Sequence, residues 1–267
     1  MNIKPYRSGM IGTAKQTVQL HRSSRNPFVR FGVSTLSMIW NGARSAIRVC
    51  VNADYRSILL MRLLNSKNVH QTTSRTFMDR YPDIFAACRD YFDGKQELKI
   101  LSYGCSTGEE VLTLRQYFPT AHIVGAEINR NSLAVCNSRP VDDKITFIYS
   151  TRDEIQKHGP FDAIFCMAVL QRKPHYIAEK GIRSLKKIYP FEKFEQQIIE
   201  LDGLVNPQGL LVVHFTQYSL SDTAAASRYE ALGHYDQSNY TSPVFDKNSD
   251  LIVNPAPQNI IFRKVRM

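Results

Sequence analysis

No acidic residue occurs in the first 53 positions of this 267-residue chain; its first carboxylate is Asp54. Lys4, Arg7, Lys15, Arg22, Arg25, Arg30, Arg44 and Arg48 place +8 of the formal +10 charge in that leader, leaving +2 for the other 214 residues. The near-neutral body argues against a wide phosphate footprint and so against a nucleic-acid partner. Cysteine is sparse and scattered. Cys50, Cys88, Cys105, Cys136 and Cys166 are odd in number, without CxxC spacing, which speaks against a disulfide framework or a zinc site and for a reducing compartment, the cytoplasm. Long apolar runs are also missing: the stretch from Val33 to Trp40 is too short for a membrane span and is flanked by Arg30 and Arg44. There is no internal repeat and no low-complexity tract. The leader sets Phe28, Phe31, Leu36, Ile39 and Trp40 among Arg and Ser. That composition suits an organelle transit peptide, an interfacial segment making peripheral membrane contact, or a basic tail packed on the domain.

An apolar content of 43% supports one substantial core with additions. After the leader (1–53), a helical approach segment (54–97) is predicted from Ile58, Leu59, Met61, Leu63 and Leu64, then Phe77, Ile84, Phe85, Cys88 and Phe92, as two helices around a Thr/Ser-rich turn. From 98 to 267 strands alternate with helices. Strands are expected at Leu98 to Ser102, Ile123 to Ala126, Ile145 to Tyr149 and Ala163 to Met167, with helices at Glu109 to Tyr117 and Arg130 to Cys136. A helix from Phe191 to Leu204 should turn through Asn206-Pro207-Gln208-Gly209 into a strand from Leu210 to Thr216, and a last strand is expected at Asn259 to Lys264. This is the βαβ rhythm of an α/β, Rossmann-like fold: a mostly parallel seven-stranded sheet with an antiparallel C-terminal edge strand. Insertions are expected at about 171–189, which is rich in Lys and Arg, and at 217–257, which holds Tyr218, Tyr229, His234, Tyr235 and Tyr240.

The stretch Lys99-Ile-Leu-Ser-Tyr-Gly-Cys-Ser-Thr-Gly-Glu-Glu110 runs a strand into a glycine-spaced turn and then an acidic helix start. It has neither the dinucleotide glycine pattern nor the Gly-Lys-Ser/Thr ending of a P-loop, and Glu109 and Glu110 would repel phosphate. Carboxylates there suit an ammonium or sulfonium instead, and S-adenosylmethionine is the cofactor that fits strand, glycine loop and helix. About 20 residues on, Glu127 ends the second strand, where a carboxylate grips a ribose hydroxyl pair; the alternative is that it caps the helix beginning near Asn129. Asp162 reads as a structural carboxylate fixing the start of the fourth strand. The end of that strand, Met167 to Gln171, lies at the switch point beside the cofactor. His214, within an apolar strand, reads as a satisfied core histidine.

These residues carry a resemblance. Gly104-Cys-Ser-Thr-Gly-Glu-Glu110 resembles the cofactor loop of the chemotaxis-receptor glutamate methyltransferases (the CheR type), within the class I S-adenosylmethionine-dependent methyltransferases. Gly159 to Cys166 is similar to that family's fourth-strand motif, Thr76-Phe-Met-Asp-Arg80-Tyr-Pro-Asp-Ile-Phe85 to its Thr-x-Phe-Phe-Arg-x-Pro-x-x-Phe segment, and Ile261 to Val265 to its final strand. The resemblance implies that Thr76 and Arg80 reach the cofactor's methionine end, that Glu109 meets its ammonium and that Glu127 holds its ribose. The candidate cofactor residues are then Thr76, Arg80, Gly104, Cys105, Ser106, Gly108, Glu109, Glu127, Ile128, Met167 and Ala168; candidate catalytic residues are Arg80, His175 and His234; no metal is expected. Arg80 suits either the cofactor carboxylate or an anionic acceptor.

The chain departs from the pattern at Met167 and Ala168, where the family has Arg-Asn, and at Ser74, where it has Asn. It also lacks the docking subdomain after Cys136, which weighs against chemoreceptors as substrates. No Asp/Asn-Pro-Pro-Tyr/Phe run follows the fourth strand and no Pro-Cys nucleophile occurs, which argues against methylation of nucleic-acid bases. The expected function is O-methylation of a small anionic or hydroxyl-bearing acceptor. A carboxylate acceptor needs no general base; a hydroxyl needs one, from His175, His234 or a loop tyrosine. The alternatives are a protein carboxyl methyltransferase and a non-catalytic adenosylmethionine-binding module acting through its leader at a membrane or partner.

Overall fold

The computed structural model describes residues 26–64, 68–72 and 75–265. Lys4, Arg7, Lys15, Arg22 and Arg25 of the leader, and Ser74, lie outside the described residues. The chain divides into two units, one ending at Arg56 and one beginning at Ser57.

In the first unit, helix α1 spans Pro27–Val51. Asn26 caps it, its side chain accepting from the Phe28 N–H at 3.0 Å, and Pro27 supplies a preset first turn. Asn52 breaks the helix and accepts from the Tyr55 N–H at 2.8 Å, starting α2, Ala53–Leu64. The approach segment then differs in one respect from the pattern-based expectation. Phe77 precedes α3, Pro82–Tyr91, because Pro82 fixes the first turn of that helix five residues later.

The second unit is built on one sheet of seven strands. Its elements are β1 Lys99–Tyr103, α4 Glu109–Tyr117, β2 His122–Glu127, α5 Arg130–Asn137, β3 Ile145–Tyr149, α6 Arg152–His158, β4 Phe161–Met167, α7 Pro174–Glu179, α8 Phe191–Asp202, β5 Val205–His214, β6 Tyr229–Ala231 and β7 Ile261–Lys264. The strand order is β3-β2-β1-β4-β5-β7-β6. β1 and β4 pair in parallel with Ile100 opposite Ala163 and Ser102 opposite Phe165, and the chain winds outward from them in both directions. Every residue of β4 is buried, so beyond Asp162 it reads as an unbroken apolar run instead of alternating. The crevice above the carboxyl ends of β1 and β4 is therefore the switch point where an open α/β sheet binds ligands.

β7 runs antiparallel to both neighbours, so the antiparallel strand lies one place in from the edge, and the short β6 forms the edge itself. Lys264 holds this corner. Its ammonium, nearly buried, donates to the Asp202 and Val205 carbonyls at 2.7 and 3.1 Å and lies 3.2 Å from the Asp202 carboxylate, which also meets Arg228 at 2.7 Å. Asn206 to Gly209, expected as a turn, lies within β5 as a bulge between Val205, paired with Phe161, and Leu210, paired with Ala163. Gly209 is required there, since a Cβ would stand 2.8 Å from the Asn206 and Asp162 carbonyls. Asp162 has the structural role expected of it: its carboxylate accepts from the Lys99 N–H at 2.9 Å, Lys95 at 2.8 Å and Asn206 at 3.1 Å. Burial opposes its ionisation, but these donors, Lys95 first, hold its pKa below the ordinary range.

The two insertions lock together. Segment 171–189 is more than a solvated basic lid, because Ile177, Leu185 and Tyr189 are buried in the main core while Lys180, Arg183, Lys186 and Lys187 face out. The Leu185 N–H donates to the Ser249 carbonyl and the Leu251 N–H to that of Arg183, which joins this segment to 217–257.

Candidate functional site

A cavity of about 420 Å³ opens at the β1/β4 crevice within the second unit. Pockets for small molecules run roughly 300–1,000 Å³, so a cofactor and a small acceptor are within its compass. One half is walled by Gly104, Cys105, Ser106, Glu127, Ile128, Asn129, Ser150, Met167 and Ala168; the other half includes Thr76, Arg80, Tyr81, Phe215, Tyr240 and His175.

The loop after β1 has the conformation its glycines require. Gly104 sits at φ 78° with its N–H on the Ala126 carbonyl at 2.8 Å, and a Cβ there would stand 2.5 Å from Val169 Cγ2. Ser106 at φ 53° and Ala168 at φ 60° are also left-handed, a strain that non-glycine residues hold only where surrounding structure enforces it. Gly108, at φ 95°, is the N-cap of α4 and borders Arg139 and Phe147, not the cavity.

Glu127 is the residue on which the loop closes. Its Oε2 accepts from the Ser106 N–H at 2.7 Å and its Oε1 from the Asn129 N–H at 2.6 Å. Burial raises its pKa, and the N–H groups of Asn129, Ser106 and Ile128 pull it back. A carboxylate offers about four lone-pair sites, so acceptor capacity remains toward the cavity. Glu127 is not the cap of the next helix, since Asn129 caps α5 with its own side chain, accepting from Asn131 and Ser132.

The two adjacent glutamates part company. Glu109 turns away from the cavity into an ion pair with Arg139 and accepts from the Thr107 hydroxyl at 2.6 Å, so it does not meet the expected ammonium position. Glu110 borders the cavity instead, accepting from the Ser102 hydroxyl at 2.7 Å. Burial pushes its pKa up to about 7, against the Ser102 hydrogen bond and the Arg80 charge. A carboxyl whose folded pKa exceeds its ordinary 4.5 stabilises the fold fully at low pH and loses that contribution as pH rises toward 7. His70 and His214, held neutral with pKa values of about 3 and 4, act in the opposite sense over part of that window. The difference between wild type and Glu110→Gln isolates the carboxyl: the Tm of the variant relative to wild type should climb between pH 4.5 and 7. Parallel melting curves across that range would show that Glu110 titrates normally.

Arg80 is held by rings. Its guanidinium lies 5.0 Å from the Tyr81 ring centroid, 5.6 Å from that of Phe77 and 5.9 Å from that of Phe215, and its Nη1 donates to the Arg75 carbonyl at 2.8 Å. It forms no salt bridge with any carboxylate among the described residues. Phe215, strained at φ 54°, stacks on Tyr240 at 5.2 Å, and the Tyr240 hydroxyl donates to Gln171, which donates in turn to the Ala168 carbonyl. Tyr81 and Ser106 each bring a buried hydroxyl with no protein partner to this cavity.

His175, exposed on α7, reaches the cavity rim. His234 does not: it is exposed in the turn after β6, at the far edge of the sheet. His214 is buried as expected but not satisfied, since its Nδ1 has no partner and its ring is stacked on Phe215 at 4.0 Å and edge-on to Tyr81 at 5.0 Å. Sequence reading missed His70, which lines the cavity and bonds Tyr189 at 2.7 Å and Gln197 at 3.3 Å. It lies in a coil before α3 that has no periodicity to flag it. No cluster of metal-ligating side chains occurs among the described residues.

Residues 100–189 match a family model described as a methyltransferase domain. The match covers about a third of the chain, from β1 through the segment after β4. The cofactor such a domain takes is S-adenosylmethionine, and the residues present fit it: a glycine turn with no room for a side chain, a carboxylate with acceptor capacity at the end of β2, and two unpartnered hydroxyls. An uncharacterized Synechococcus protein is 35% identical to this chain over 95 residues, 34% of this chain and 23% of that protein. Two solved methyltransferases are similar in fold. An amino pentose methyltransferase from Micromonospora echinaspora, bound to S-adenosylmethionine, is 18% identical, with 52% of this chain and 50% of that one covered and a TM-score of 0.39. The plantazolicin methyltransferase BpumL, bound to S-adenosylhomocysteine, is 14% identical, with 77% and 62% covered and a TM-score of 0.37. This chain thus spans less than two thirds of each of these proteins, and likenesses this slight say nothing of its acceptor. The matched residues hold the glycine loop, Glu127 and the β4 end; the Arg80 wall and Tyr240 lie outside them. No described helix is long and apolar enough to cross a membrane.

Proposed function

We propose that this chain is an S-adenosylmethionine-dependent O-methyltransferase whose acceptor is a small molecule bearing an anionic group. The observation that carries the reading is Arg80: a cation at the cavity wall, braced by three aromatic rings and a carbonyl, and in no salt bridge among the described residues. A guanidinium so placed binds a carboxylate or phosphate in bidentate fashion.

Bound S-adenosylmethionine supplies a methyl group on a sulfonium, already a good leaving group, so alignment and exclusion of water are what the protein must add. Glu127 and the Ser106 loop would hold the ribose end, Glu110 would face the cationic end, and Met167 and Ala168 would flank the base. Arg80 orients the acceptor while Tyr81, Phe215 and Tyr240 wall it off from water. A carboxylate acceptor attacks without losing a proton. A hydroxyl acceptor would pass its proton to His175, exposed at the cavity rim.

The loop 138–144 between α5 and β3 leaves no room for a subdomain that grips a protein, which favours a small acceptor over a protein carboxylate despite the chemoreceptor-enzyme resemblance. Methyl-labelled cofactor offered with a panel of small carboxylates, phenols and amines tests this. Label entering carboxylates and released as methanol by mild alkali is expected. Transfer confined to amines would overturn O-methylation, and tight cofactor binding with no transfer to any acceptor would favour the non-catalytic module.

A further inference from the structure

We infer that α1 is a surface anchor that lies flat on an anionic lipid bilayer. Successive residues of an α-helix are separated by about 100°, so Arg30, Ser34, Ser37, Asn41, Arg44, Ser45 and Arg48 fall within one arc of roughly 100°. The rest of the circumference is apolar, apart from Gly32, Thr35 and Gly42. It carries Phe28, Phe31, Leu36, Met38, Trp40 and Ile47, which are 64% or more exposed. No residue of the helix is buried. Helices 25 residues long are about 37 Å from end to end, enough to span a bilayer, but three Arg on one face forbid that orientation and suit the interface plane.

Charge selects the lipid. All three ionised groups of α1 are Arg and none is acidic, and the preceding residues add only further Lys and Arg. An anionic headgroup layer complements that face, while the Phe, Leu and Trp face enters the acyl boundary. Gly32, Gly42 and the β-branched Val29, Val33, Thr35, Ile39, Ile47, Val49 and Val51 make α1 a weak helix by propensity, so contact with an apolar phase should strengthen it.

Co-sedimentation of the full chain with vesicles tests this, comparing phosphatidylcholine alone with phosphatidylcholine plus phosphatidylserine. Binding to the mixed vesicles should be at least about tenfold tighter and should weaken with salt. Reversal of the arginines (Arg30→Glu, Arg44→Glu, Arg48→Glu) should abolish the preference for phosphatidylserine. Trp40→Glu with Phe31→Glu should abolish binding to both. Cofactor binding measured on the same preparations should be unchanged in either variant, which shows that the second unit is folded. Wild-type chain left in the supernatant with both vesicles would overturn the inference. So would equal binding to both, or binding indifferent to the Trp40 and Phe31 changes.

Discussion

Glu127→Ala is expected to weaken S-adenosylmethionine binding by about tenfold or more, the equivalent of ~1.4 kcal/mol of lost charge-assisted hydrogen bonding. The loss has two sources. The ribose would lose its carboxylate acceptor, and the N–H groups of Ser106 and Asn129, now satisfied at 2.7 and 2.6 Å, would lose theirs. Stranded buried donors cost about 1–3 kcal/mol each, so Tm should fall as well. Glu127→Gln separates the two effects. It keeps one acceptor oxygen for the loop but removes the charge and turns an N–H₂ toward Ser106 or Asn129, so stability should be partly restored while cofactor affinity remains low. Calorimetric titration alongside thermal melts reads both. Unchanged affinity in Glu127→Ala would refute the ribose assignment whatever happened to Tm.

The second large effect is expected at Arg80. Hydrogen bonds to charged groups contribute about 1.5–3 kcal/mol, so Arg80→Gln should lower kcat/KM for a carboxylate acceptor by roughly ten- to a hundredfold at saturating cofactor. Cofactor affinity should change little. Arg80→Lys should recover only part of the activity, because an ammonium keeps the charge but not the planar fork that lies against Phe77, Tyr81 and Phe215. If Arg80→Gln instead weakens cofactor binding and leaves the acceptor KM alone, Arg80 holds the methionine carboxylate and the anionic-acceptor reading falls.

The glycine-loop half of the cavity was legible because backbone geometry constrains sequence there. Gly104 is needed at a left-handed turn tight against Val169, and an acid at the end of the next strand follows from the sheet's topology. Parallel strands buried on both faces, such as Ala163 to Met167, announce themselves as apolar runs. Other features depend on phase or on distant chain. Glu109 and Glu110 differ by one residue, about 100° around α4, so which of them faces the cavity is set by how the helix docks. Phe215 and Tyr240 are 25 positions apart and stack only because the long insertion folds back over β5. The same insertion leaves His234 at the β6 edge, so that Tyr240 lines the cavity and His234 does not. Asn206-Pro207-Gln208-Gly209 has the composition of a turn, and it bulges between Val205 and Leu210, the residues that pair with β4, with Asp162 and the Gly209 backbone holding the irregular register there.

Titration calorimetry of the intact chain with S-adenosylmethionine, and with its demethylated product, tests the central claim most directly. Saturable binding of both at one site per chain is predicted, with affinity reduced in Glu127→Ala. No heat from either ligand at millimolar concentration, from protein that melts cooperatively, would contradict it.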